Sequence, residues 1–251
     1  MIQSLSVVAA SSAPTLSWKL IATRPHDAQA FTQGLVVDGK HLIEGTGLYG
    51  RSGIVIRDLA SGSVLHASQL PADQFGEGVA VVGNRIIQLT WQNGIAHVFD
   101  DQLHPLTRMR MKGEGWGLTY DGNRLIRSDG SARLRFHDPE SFEEIGGVSV
   151  TDNGRAVDRL NELEFADGLV YANVWQENRI AIIDPATGDV RGWLDLGELS
   201  GRFTRLPGWN TADAVLNGIA VLPGRRRLLI TGKLWPLMFE IEVDRVPPRR
   251  P

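Results

Sequence analysis

The 251-residue sequence has no cysteine, which removes disulfides and thiolate-metal chemistry from consideration. It also lacks an excess of charge, since 26 Lys and Arg stand against 29 Asp and Glu for a formal net charge of -3. Nucleic-acid binding needs a clustered basic surface, and the basic run Arg225–Arg227 is too short to make one, so it reads as a solvated turn. No nucleic-acid partner is expected. Apolar stretches fall well below the ~18 residues of a membrane span, so no membrane partner is expected either. Runs of helical period long enough to serve as crossover helices are missing too, which disfavours a parallel α/β fold.

Glycine is abundant instead: 28 of 251 residues, about 11% against a usual share of roughly 7%, which implies many tight turns. The first residues, Met1 to Ala10, carry no basic n-region. Residues 1–15 therefore read as a flexible segment, or alternatively as the stub of a secretory signal with a small-residue cleavage region.

A Gly-apolar start recurs along the chain, at Phe31-Thr-Gln-Gly34-Leu, Phe75-Gly-Glu-Gly78-Val, Glu114-Gly-Trp-Gly117-Leu, Leu160-Asn-Glu162-Leu and Leu216-Asn-Gly218-Ile. The markers Gly34, Gly78, Gly117, Glu162 and Gly218 are spaced by 44, 39, 45 and 56 residues, close to the ~40–50-residue period of propeller blades. Within a repeat, β-branched runs alternate with turn residues, as in Leu169–Trp175, Arg179–Ile183 and the turn Asp184-Pro-Ala-Thr-Gly188. Four strands fit each of the first four repeats. The fifth offers only Gly218–Leu222, Arg227–Thr231 and Met238–Val243, and the N-terminal run Leu16–Thr23 can supply its missing outer strand. Pairing the chain ends closes the ring and removes exposed sheet edges. The expected fold is all-β: a five-bladed β-propeller over residues 16–243, closed by the N-terminal strand, with a Pro/Arg-rich tail at 244–251.

In such a fold one face collects the start of every first strand and the end of every second. Two rings of residues mark that face. Immediately before the markers stand Gln33, Glu77, Trp116, Asn161 and Asn217, and 12 to 15 residues beyond them stand Thr46, Trp91, Asp129, Trp175 and Lys233. Amide, carboxylate and indole groups around a channel mouth suggest convergent contacts for a ligand, although propellers also pack Trp between sheets. A lone Glu77 among aromatics is a candidate acid/base, because desolvation raises a carboxylate pKa toward neutrality. The connections Gly146–Leu160 and Gly197–Leu216 overhang the same face as lids or as plain surface loops.

Other chemistry finds less support. His26, His41, His66, His97, His104 and His137 show no metal-ligand spacing and read as exposed or capping residues. Calcium-loop, phosphate-loop and nucleophile-elbow patterns are missing.

The residues now assembled resemble the propeller-type glutaminyl-peptide cyclotransferases of plants and bacteria. The resemblance rests on Pro25-His26-Asp27, Ala30-Phe31-Thr32-Gln33-Gly34-Leu35, Tyr49-Gly50-Arg51-Ser52, Phe75-Gly76-Glu77-Gly78 and Leu89-Thr90-Trp91-Gln92. It continues through Glu114-Gly115-Trp116-Gly117, Ser128-Asp129-Gly130-Ser131, Leu160-Asn161-Glu162-Leu163, Ala172-Asn173-Val174-Trp175, Leu216-Asn217-Gly218 and Thr231-Gly232-Lys233-Leu234-Trp235. It covers almost all of Trp18–Val243.

The resemblance implies conversion of an N-terminal glutaminyl residue of a peptide or protein to pyroglutamate, with release of ammonia and no catalytic metal. Carried over by position, Glu77 is the proton shuttle. Gln33, Asn161 and Lys233 orient the substrate and stabilise the oxyanion, and Phe75, Trp91, Trp116 and Trp175 form the walls. No cofactor is expected for catalysis, while the resemblance leaves room for a structural calcium. A monomer acting on Gln-initiated peptides is expected, in a periplasmic or secreted setting, with the cytoplasm also open. The competing readings are a non-catalytic propeller that binds peptides or sugars at a Trp-lined mouth, and a metal-dependent propeller lactonase or lyase.

Overall fold

Short apolar runs punctuated by Gly, Asp and Pro fold into antiparallel strands throughout the computed structural model, which describes residues 12–204, 210, 212–223 and 226–248. An N-terminal strand β1 (Trp18–Pro25) is followed by a first sheet of β2 (Thr32–Asp38), β3 (His41–Thr46), β4 (Gly53–Asp58) and β5 (Val64–Gln69). The second sheet holds β6 (Gly76–Val82), β7 (Arg85–Thr90), β8 (Ile95–Phe99) and β9 (Pro105–Arg110). The third holds β10 (Leu118–Tyr120), β11 (Leu125–Arg127), β12 (Arg133–His137) and β13 (Glu144–Ser149). A small hairpin, β14 (Thr151–Asp152) and β15 (Arg155–Ala156), precedes the fourth sheet of β16 (Leu160–Ala166), β17 (Leu169–Val174), β18 (Arg179–Ile183) and β19 (Val190–Asp195). The 3-10 turn Gly197–Gly201 then leads to β20 (Leu216–Val221), β21 (Arg227–Gly232) and β22 (Leu237–Val243). No helix among the described residues is long and apolar enough to cross a membrane.

The fifth sheet runs β1-β22-β21-β20, so the two ends of the chain share one blade. Their antiparallel register runs from Trp18 opposite Val243 to Pro25 opposite Leu237. This five-bladed ring is the expected architecture, with one displacement. The closing strand starts at Trp18 rather than Leu16, because the Leu16 N–H is taken by the Trp193 carbonyl at 2.8 Å in the neighbouring blade. Residues 12–15, the end of the segment read as flexible, are held there too. Ala13 N–H donates to Asp152 Oδ1 at 2.8 Å, and Thr15 bridges Trp193. Residues 1–11 of that segment, Arg225 of the basic triplet and residues 249–251 of the tail lie outside the described residues. Earlier in the tail, the Pro247 carbonyl accepts Arg191 Nη2 at 2.9 Å.

Each sheet buries both faces against its neighbours, which is why inner strands such as β17 read as almost continuous apolar runs. The apolar residues accordingly fall into five clusters, one between each adjacent pair of blades. Trp193 and Trp235 belong to these clusters. Outer strands are polar or half exposed, as in β5 and β9, and β9 opens on Pro105, a residue that sheets tolerate at an edge.

The first strands β2, β6, β10, β16 and β20 surround the axis. Here the repeated glycine has a physical cause. A Cβ at Gly78 would strike the backbone of Gly117 and Leu118, and one at Gly34 would strike that of Gly78 and Val79, so only glycine admits this approach. The fourth repeat substitutes Glu162, whose carboxyl crosses the axis to accept the N–H groups of Leu35 at 3.2 Å and Ile219 at 2.9 Å. Glu164, one turn of the pleat further on, accepts Val221 N–H at 2.8 Å. Burial raises Glu162 well above the carboxylate range, with the charge of Glu164 adding to it, and burial raises Glu164 to about 8.

Three of the six histidines depart from expectation, while His41 and His104 are exposed as expected. His26, His97 and His137 are buried, because each meets a fixed partner: Glu44 at 2.8 Å, Gln74 at 2.6 Å and the Phe142 carbonyl at 3.0 Å.

Candidate active site

At the face where the first strands begin, a cavity of about 340 Å³ opens to solvent. Its polar lining comes from one repeated device. The pairing register shifts between Thr32 and Gly34, between Gly76 and Val79, and between Leu160 and Leu163. Such bulges re-aim a side chain out of the sheet, and here they turn Gln33, Glu77 and Asn161 into the cavity. Trp91, Trp175 and Lys233 follow directly on β7, β17 and β21, and Trp116 precedes β10, which completes the enclosure.

All eight residues singled out from the sequence, Glu77, Gln33, Phe75, Trp91, Trp116, Asn161, Trp175 and Lys233, line this one cavity. The remaining members of the two rings do not. Asn217 sits beneath, donating to Gln33 Oε1 at 3.2 Å and to the Thr32 carbonyl at 2.9 Å. Thr46 donates to the Gly53 carbonyl, and Asp129 is paired with Arg135 at 2.7 Å. Three further described residues join the lining: Phe31, Leu48 and Asp213. Phe31 stands three residues before its marker, as Phe75 does, so the repeat carried a signal for it. Leu48 and Asp213 come from segments without repeat register.

Of the two expected overhanging connections, the hairpin β14–β15 supplies no lining residue. It leans on the fourth blade instead, where Trp193 Nε1 donates to Asp152 Oδ2 at 3.0 Å. The other connection contributes Asp213, while residues 205–209 and 211 lie outside the described residues.

Glu77 is buried and accepts a hydrogen bond from Gln33 Nε2 at 3.2 Å. Burial raises its pKa well above the carboxylate range, Lys233 pulls it partly back, and Glu114 pushes it up again. Burial lowers Lys233 to about 8, against the opposing attraction of Glu77 and Asp213. A carboxyl and an amine are thereby both moved toward neutral pH, where proton exchange is easiest. The Lys233 ammonium also lies over the Phe31 ring at 4.9 Å. Asn161 is fixed by its own carbonyl, which accepts Ser128 Oγ at 2.6 Å, while its buried side-chain Oδ1 has no partner among the described residues. A buried acceptor of this kind calls for a donor.

The walls are edge-to-face aromatic pairs, the arrangement ring quadrupoles favour. Phe75 meets Trp91 at 5.8 Å and 66°, and Trp116 meets Trp175 at 5.7 Å and 85°. Gly130 leaves room for this packing, since a Cβ there would come within 2.8 Å of the Trp116 ring. Leu48 lines the rim in a left-handed conformation, φ 89°, with its carbonyl held by Ser52 Oγ at 2.8 Å. The same Ser52 Oγ accepts the N–H of Gly76, the residue before Glu77, at 2.9 Å. Among the described residues no group of three or more His, Asp or Glu stands where it could hold a metal ion.

The fold and the cavity define a class: a five-bladed propeller with an acid and an amine enclosed by aromatic walls at one end of its axis. A sequence profile of the family described as glutamine cyclotransferase matches residues 2–243. The chain belongs to that family. It is 40% identical over 231 residues to the glutaminyl-peptide cyclotransferase of Arabidopsis thaliana, covering 90% of this chain and 71% of that one. It also superposes on the crystal structure of Myxococcus xanthus glutaminyl cyclase with a TM-score of 0.82 and 39% identity, over 92% of this chain and 98% of that one.

Proposed function

We propose that the protein converts the N-terminal glutaminyl residue of peptides or proteins to pyroglutamate, with Glu77 carrying the proton and without a metal. The observation that carries this reading is the placement of Glu77 beside Lys233, Gln33 and Asn161 inside a cage of aromatic rings in a member of this family. The α-amine nitrogen attacks the side-chain carboxamide carbon and forms the ring C–N bond. Glu77 accepts the proton that the amine loses and delivers a proton to the carboxamide nitrogen, whose bond to carbon breaks as ammonia leaves. Atoms and protons balance with the side chains already present.

Lys233 and the amide of Asn161 supply donors where the tetrahedral oxyanion develops. Asn161 Oδ1, without a partner among the described residues, accepts an N–H of the substrate. The rings exclude water and hold the flexible glutaminyl side chain folded toward its own amine, which lowers the entropic share of the barrier. Incubation with a Gln-initiated peptide, followed by mass spectrometry, should show loss of one ammonia, undiminished after exhaustive chelation. Tight binding of the peptide without ammonia loss would instead make the propeller a binding module. Loss of turnover on chelation with recovery on adding zinc would overturn the metal-free chemistry.

A further inference from the structure

In the register that places Phe31 and Phe75 three residues before their markers, the third blade carries Glu114. Its carboxylate gathers the walls from behind. Glu114 Oε2 accepts both indole N–H groups, from Trp91 at 2.8 Å and from Trp116 at 2.9 Å, and Oε1 accepts Gln92 Nε2 at 2.9 Å. Trp91 is packed on Phe75 and Trp116 on Trp175. A single oxygen therefore joins two aromatic pairs into one continuous wall. Bonds to a charged acceptor are roughly twice as strong as neutral ones, and two of them on one atom tether the two indole nitrogens to a common point.

We propose that Glu114 is a positioning residue for the cyclisation, holding Trp91 and Trp116 at the angle that folds the glutaminyl side chain onto its amine. The proposal rests on the cyclase reading of the cavity. Glu114 does not line the cavity and touches no reacting atom. Its charge has a second effect. The groups facing Glu77 are Lys233, neutral Gln33 and Glu114, and the negative charge of Glu114 favours the protonated form of Glu77. Around Glu114 itself stand Gln92, the two indoles and Asp129, with Arg127 donating to its backbone carbonyl.

Two variants separate the effects. Glu114→Gln keeps the volume and an oxygen that can accept both indoles but loses the charge that strengthens those bonds, so KM for a Gln-initiated peptide should rise about fivefold, with a smaller fall in kcat. The acid limb of kcat/KM, set by Glu77, should move to lower pH, because the neighbouring negative charge is gone. Glu114→Asp keeps the charge and is one methylene short. It should restore the acid limb while leaving KM raised, and both variants should change the near-ultraviolet circular dichroism that reports indole packing.

A Glu114→Gln protein with KM within about twofold of the parent and an unmoved limb would overturn the proposal. So would collapse of both variants to unfolded chains, which would make Glu114 a support of the fold alone. A parent that does not cyclise would remove the cyclase reading instead, and the dichroism of the free proteins would still test whether Glu114 sets the indole geometry.

Discussion

His26 Nε2 lies 2.8 Å from Glu44 Oε1, with both side chains 1% exposed, and the pair ties the strand that closes the ring to the first blade. On the far side of the imidazole, Nδ1 lies 2.6 Å from the Trp235 carbonyl, while Thr32 Oγ1 donates to the same Glu44 oxygen at 2.7 Å. Thr32 and Trp235 are near neighbours in sequence of Gln33 and Lys233. The joint of the ring therefore passes beside the cavity.

Removing one partner of this pair should be costly. His26→Leu leaves a buried carboxylate without its counter-charge, a change worth about 3–5 kcal/mol. The pH dependence follows from both partners. Burial pushes His26 down, but the charge and hydrogen bond of Glu44 outweigh it, so the pKa is raised. Its contribution is full below the unfolded value and is lost as pH climbs through the folded one. Glu44 is lowered, the charge and hydrogen bond of His26 outweighing burial, so its contribution is present above its unfolded value and lost as pH falls through the folded one. The loss of unfolding temperature in His26→Leu should be greatest between the two folded values and shrink on either side. An equal loss from acid to alkaline pH would refute this origin.

The channel carboxyl Glu164 has the opposite sign to Glu44 and the same sign as His26. Glu164 binds its proton up to about pH 8 in the folded chain, so its stabilising effect is full below the unfolded value and disappears as pH rises through 8. Glu164→Gln keeps an acceptor for Val221 and has nothing to ionise. Compared at about pH 6 and about pH 9, the variant should gain at least about 3 °C in unfolding temperature over the parent. Parallel curves for the two proteins would show that Glu164 is ionised without penalty.

Glu77→Gln retains volume and hydrogen bonding while removing proton exchange. Acid/base groups contribute about 10²–10⁴-fold in rate, and a group acting on both nitrogens should sit toward the upper end. Folding and peptide binding should persist, as read by circular dichroism and calorimetry. Turnover within about threefold of the parent would remove Glu77 from the chemistry.

Lys233 sets the alkaline side. With its pKa lowered to about 8 by burial, the free enzyme loses its cation above that pH, and kcat/KM should fall there. The substrate amine titrates in the same range, at about 7.7–8.0, so the effect is isolated by comparison with Lys233→Arg, whose guanidinium stays charged. Whatever rate that variant retains should lack the alkaline fall. An identical fall in both proteins would assign it to a group other than Lys233.

The repeat was legible because geometry enforces it. Gly34, Gly78 and Gly117 stand where neighbouring backbones nearly touch, and the bulges beside Gly34 and Gly78 aim Gln33 and Glu77 at the axis. Glu77 and its ring could therefore be read from register alone. Leu16 misled, because its backbone N–H donates to the Trp193 carbonyl of another blade, a long-range bond that no local pattern encodes. Asp213 arrives from an insertion with no counterpart in the other repeats. Glu114 breaks the pattern in chemistry rather than in position: where two blades place a phenyl ring, it places an acceptor for indoles, and only three-dimensional distances show which ones. His26 reads as an ordinary polar residue until Glu44, from the next blade, is seen beside it.

Glu162 braces the centre of the propeller. Its carboxyl spans from the fourth blade to the first and fifth, and the cavity at the opposite end of the axis, lined by Val36, Ala80, Tyr120, Glu164 and Leu222, shares no wall with the one that holds Glu77. On the cyclisation proposed above, a peptide would enter the aromatic mouth with its first residue and leave the rest of its chain trailing outward.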